Sequence, residues 1–88
     1  MNTYKTKFFA TCPVNGVRIE YDLTINTGSV VKVEDLINFV EGIGAGFHEA
    51  IADQLYARFG GMQSLVADHH GVTINTTRPH LSHWEQQR

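Results

Sequence analysis

A two-layer α+β sandwich, with elements in the order ββααββ, is predicted for this 88-residue chain by three observations. Apolar and polar residues alternate from Val17 to Asn26, the period of a strand covered on one side. From Val33 to Phe59 the apolar spacing becomes helical, and glycines at 42, 44 and 46 break it in the middle. Short β-branched runs then return on either side of a polar turn. Two hairpins enclosing two helices put both helices on one face of an antiparallel sheet.

Each element has its own local warrant. Residues 4–12 carry the aromatic and β-branched side chains of a strand, and Asn15-Gly16 in the turn that follows is a strong hairpin signal. In the second strand Val17, Ile19, Tyr21, Leu23 and Ile25 share one face, and Arg18, Glu20, Asp22, Thr24 and Asn26 the other. Val33, Leu36, Ile37, Val40 and Ile43 form a helical stripe, with Glu34 and Asp35 in the first turn where carboxylates are favoured. Phe47, Ile51, Leu55 and Phe59 recur every four residues, with Ala50 and Ala52 expected to fill the flanks and Gly60-Gly61 to stop the helix. Ser64–Ala67 reads as a short strand, Asp68-His69-His70-Gly71 as a turn, and Val72–Thr76 as the last strand. Residues 1–79 make one domain. Residues 80–88, polar apart from Leu81 and Trp84, read as a disordered or partner-contacting tail.

Bulk properties narrow the class. A chain of this length buries only about two-thirds of its unfolded surface, so assembly with copies of itself is expected. A net charge of −2 and a pI near 6.2 give no basic field for nucleic acid. No apolar run approaches the roughly 18 residues of a membrane span. The single Cys12 cannot form an internal disulfide, which fits a reducing cytoplasm.

Three motifs, in order, resemble a known family. Thr11-Cys12-Pro13-Val14-Asn15-Gly16 is similar to the Cys-Pro-x-Thr-Gly turn of the 7-cyano-7-deazaguanine (preQ0) nitrile reductases of queuosine biosynthesis. Val33-Glu34 resembles the start of their Val-Glu-Ser-Lys-Ser motif, and Phe47-His48-Glu49 their Phe-His-Glu. The resemblance spans roughly residues 7–76 and implies the tunnelling fold, whose members close side by side into barrels and bind purines or pterins between subunits. It implies Cys12 as a nucleophile forming a thioimidate with the nitrile. It also implies Glu49 and Glu34 gripping the base edge beside Phe47, with His48 in the catalytic group. Three departures are plain. The general-acid Asp that follows the Cys turn in that family has no counterpart in Val17-Arg18-Ile19. Lysines and serines tied to NADPH are replaced by Asp35-Leu36-Ile37, and a Pro-Arg-Gly-Gly turn by Asp68-His69-His70-Gly71.

The residue chemistry leaves each site with two readings. Cys12 at a hairpin tip is either an accessible thiol that a lowered pKa would activate, or a small apolar side chain at a strand end. Glu49 can accept a bidentate pair from a guanine-like edge or simply complement a helix N-terminus; Glu34 poses the same choice. His48 can orient a substrate or pass a proton near neutral pH, or stand solvated at a helix start. His69-His70 is a polar turn or, with Cys12 and His48, part of a zinc site of the kind GTP cyclohydrolases use. The leading expectation is an enzyme resembling preQ0 nitrile reductase, with NADPH as its conceivable cofactor. The alternatives are an amidinotransferase-like relative, a zinc-dependent pterin enzyme, and a base-binding member without chemistry.

Overall fold

The computed structural model describes residues 1–80 and has the ββααββ order. Strands β1 (Asn2–Thr11) and β2 (Arg18–Thr27) form the first hairpin, and β3 (Met62–His69) and β4 (Val72–Arg78) the second. Between them come α1 (Val33–Glu41) and α2 (His48–Phe59). All four strands lie antiparallel in one sheet in the order β1-β2-β3-β4. No helix among the described residues is long and apolar enough to cross a membrane.

Strand register lines the inward residues up in rows across the sheet. Phe8, Tyr21, Ala67 and Ile74 make one row, and Tyr4, Ile25, Gln63 and Arg78 another. The period-2 alternation of β2 therefore becomes a core of Ile19, Tyr21, Leu23 and Ile25 under the helices. α1 lies over β1, and α2 over β3 and β4. Leu36 and Val40 of α1 are buried, while Val33 and Ile37 of the same stripe stay exposed. α1 is only nine residues long, and one face of its last two turns meets the sheet.

The buried face of α2 differs from the sequence expectation. Its stripe is His48, Ile51, Ala52 and Leu55, the i, i+3, i+4, i+7 positions counted from His48. Phe47 falls just outside the helix and is 57% exposed, and Ala50 points to solvent while Ala52 is buried. Gly61 ends the turn after α2 at a point where no other residue fits. Its φ is +71°, and an added Cβ would lie 2.6 Å from the Asn26 carbonyl oxygen.

The second hairpin is also tighter than expected. β3 runs from Met62 through His69, so His69 belongs to the strand, and His70-Gly71 form a two-residue turn with φ of +54° and +88°. The Gly71 N–H donates to Asp68 Oδ1 at 2.6 Å. Of the predicted tail, only His80 falls within the described residues, and it is exposed.

Candidate active site

The glycine-rich stretch after α1 does more than break a helix. Thr11 N–H donates to the Gly44 carbonyl at 2.9 Å, and Gly46 N–H to the Thr11 carbonyl at 3.2 Å, so Ala45 pairs with the end of β1 like a short parallel strand. Gly44 makes that bend with φ +67°. From this anchored edge the chain crosses directly into α2. The helix therefore starts beside the two hairpin ends.

Three sequence-distant side chains, Tyr21, His48 and His69, meet there on the helix side of the sheet, and Cys12 lies close enough to act on Tyr21. Cys12 comes directly after β1, two residues beyond the inward Ala10, is half-buried and packs against the core. Tyr21 on β2 pairs with Phe8 in the register, is 1% exposed and stacks on Phe8 with ring centroids 5.2 Å apart. His69 follows Ala67 on the inward face of β3, and its ring meets Tyr21 edge-on at 6.1 Å. His48, the first residue of α2, closes the group from above at 5.4 Å from Tyr21 and 5.2 Å from His69.

His48 is buried, contrary to the reading of a solvated helix-start residue, because both of its ring nitrogens are bonded within the chain. Nε2 lies 3.1 Å from the Leu65 carbonyl oxygen and Nδ1 lies 3.1 Å from His69 Nε2. A carbonyl only accepts, so His48 carries its proton on Nε2. Its bare Nδ1 then accepts the Nε2–H of His69. Burial holds the His48 pKa below the ordinary imidazole value; the Leu65 bond and Glu49 oppose that shift, and His69 and Arg78 add to it. Burial likewise raises the Tyr21 phenol, with the nearby Cys12 thiol adding to the effect, so the phenol stays protonated. His70 points away from this group, and its Nε2 lies 3.0 Å from Asn15 Nδ2 at the other hairpin tip.

Glu49 stands exposed in the first turn of α2, near enough to act on His48, with the exposed Phe47 before it. Glu34 is elsewhere. Asp35, its neighbour, pairs with Arg58 at 3.9 Å, and Arg58 lies nine residues after Glu49, about 14 Å along α2. Within one chain Glu34 therefore lies near the Arg58 end of α2, away from Glu49. Among the described residues no three His, Cys, Asp or Glu side chains converge enough to hold one ion. The alternative zinc set of Cys12, His48 and His69 or His70 is thus not assembled within one chain. Sequence reading missed Tyr21 as a site residue and the pairing of His48 with His69. Parity along β3 from Leu65 was the available signal for His69.

Concavities of the single chain lie away from this group. One of about 240 Å³ is lined by Asn26, Met62, Gln63 and Arg78, and one of about 300 Å³ by Arg18, Glu20, Asp22 and Asp68. No family model matches the chain, and no curated protein matches it by sequence. By structure, the chain is similar to the archaeosine synthase QueF-Like in its apo form, with a TM-score of 0.58 and 15% identity. The match covers 86% of this chain and 88% of that one. At this identity the likeness is one of fold.

Proposed function

We propose that this chain is a tunnelling-fold enzyme that processes a 7-deazapurine nitrile, with Cys12 as nucleophile and Glu49 as the base-reading carboxylate. The observation that supports this reading is the pairing of Thr11, the neighbour of Cys12, with the Gly44–Gly46 stretch that leads into α2, in a fold shared with an archaeosine synthase over most of both chains. The thiol sulfur bonds to the nitrile carbon, the triple bond becomes a double bond, and the nitrogen takes up a proton, giving a thioimidate. Glu49 accepts the ring N–H and exocyclic amine of the base, and the exposed Phe47 offers a face to stack on it.

The site is completed between copies. Both outer strands present an edge, and β4 carries no lysine and no proline to protect its own. Pairing β4 of one copy with β1 of the next extends the sheet towards a closed barrel. Glu34 reaches a base held by Glu49 only from a second copy. The fate of the thioimidate is better served by ammonia than by hydride. Addition of ammonia and departure of the thiolate yields an amidine without any redox partner, and Asp35-Leu36-Ile37 stand where the reductases place cofactor-side residues.

Incubation of the purified protein with preQ0 base tests this reading. Intact-protein mass should rise by one substrate equivalent, and the rise should vanish in Cys12→Ala. Product identity with ammonia against NADPH separates amidine formation from reduction. Absence of both adduct and affinity, in an assembled oligomer, ends the reading.

A further inference from the structure

The side chain best placed to exchange a proton in this site is not the histidine of the Phe-His-Glu motif. Both His48 nitrogens are held, one by the Leu65 carbonyl and one by His69, so His48 cannot give or take a proton without breaking a bond that buries it. His69 is different. Its Nε2–H is spent on His48, but its Nδ1 has no partner among the described residues, and no buried side-chain nitrogen or oxygen there lacks one. His69 Nδ1 therefore reaches the open side of the pair, and the residue is only half-buried.

We propose that His69, through Nδ1, is the proton-exchange residue of this site, and that His48 is the fixed partner that orients it. The sequence leaves this duty open, since no carboxylate follows the Cys turn where the resembling family has its general acid. His48 from α2 and Tyr21 from β2 face His69; Cys12, just after β1, acts on Tyr21, and Glu49 from α2 and Arg78 from β4 act on His48. Asp68 and His70 flank it in its own hairpin. A proton added at His69 Nδ1 leaves the His69-to-His48 and His48-to-Leu65 bonds intact, whereas one added at His48 Nδ1 sets two N–H groups against each other. The pair thus takes up and releases its proton at His69.

The reaction this serves rests on the nitrile reading given above. As Cys12 sulfur bonds to the nitrile carbon, the thiol proton leaves to solvent. The nitrile nitrogen takes a proton from His69 Nδ1, directly or through one water, and His69 is recharged from solvent.

Two measurements on the full chain test the assignment. Histidine ¹H–¹⁵N correlation spectra recorded from neutral to acid pH should show His48 fixed as the Nε2–H tautomer while His69 gains its second proton. The reverse order overturns the proposal, and this arm needs no substrate. The second measurement is the rate of adduct formation with preQ0 in His69→Gln, whose amide still donates to His48 but exchanges no ring proton. The rate should fall by about 10²–10³-fold, with loss of the imidazole limb of the pH–rate profile. A wild-type rate and profile in His69→Gln, with fold confirmed by the same spectra, also overturns it. If the wild type forms no adduct at all, the nitrile reading falls, and the spectra alone decide the role of His69.

Discussion

Polar side chains are buried at both ends of this sheet, and the two ends use them differently. In the row of Tyr4, Ile25, Gln63 and Arg78, Gln63 Nε2 donates to the carbonyls of Leu55 at 3.1 Å and Gly60 at 2.7 Å. Arg78 donates from Nε to Asp53 at 2.8 Å and from Nη1 to the Thr77 carbonyl at 2.9 Å. These bonds tie the end of α2 to β3 and β4. At the other end His48 is bonded as fully, but its bond to His69 leaves His69 Nδ1 without a partner among the described residues, and the exposed Glu49 and Phe47 stand beside His48 in the chain. A buried polar group with all its bonds inside the chain supports structure. A chain of such groups that opens on reactive side chains supports chemistry.

Glu49→Gln is the sharpest way to break this comparison. The carboxylate is exposed and at most complements the helix N-terminus, by about 0.3–1 kcal/mol, so the substitution should change the melting temperature little. Loss of charge-assisted hydrogen bonds, each worth about 1.5–3 kcal/mol, should weaken base binding by about ten- to a hundredfold. Calorimetric titration with preQ0 measures it, and an unchanged affinity would remove Glu49 from the site.

Gln63→Leu tests the opposite end. The side chain is 5% exposed, and its removal strands the Leu55 and Gly60 carbonyls at a cost of about 1–3 kcal/mol. For a domain of this size each kcal/mol lowers the melting temperature by about 4–8 °C. Base affinity should not change at temperatures where the variant is folded. Equal losses of affinity in Gln63→Leu and Glu49→Gln would mean that the two ends are not separate in function.

The sequence displays the frame of the fold better than it displays the site. The alternation of β2, the Asn15-Gly16 turn and the two helices each follow from local patterns, and the structure has them all, though with a narrower buried stripe on α1 and a shifted one on α2. β3 reads short from sequence because Gln63 and His69 occupy inward positions where a simple pattern demands apolar residues. Their suitability depends on partners on α2, which a strand pattern does not contain. His48 is obscured in the same way. Phe47 offers an apolar residue at one position of a four-residue repeat, yet the stripe that packs is the one counted from His48. Only the Leu65 carbonyl and His69, 17 and 21 residues away, make that burial tolerable.

The smallest expected effect separates the two ends by pH. His48 holds a proton less readily in the folded chain than an ordinary imidazole at 6.5, chiefly because it is buried. Below that value the unfolded chain therefore binds more protons than the folded one, and stability rises with pH. The contribution is fully present above 6.5 and is lost as pH falls through 6.5 and on towards the lowered value in the fold. Urea midpoints should fall from pH 7.5 to pH 5.5, and the fall should be smaller in His48→Gln, whose amide does not titrate. Gln63 carries no titratable group, so Gln63→Leu should lower the midpoint at every pH and leave the slope as it is. A wild-type midpoint that is flat or rises towards acid would mean that the imidazole pair is not held neutral at His48, and the contrast between the two ends would lose its electrostatic half.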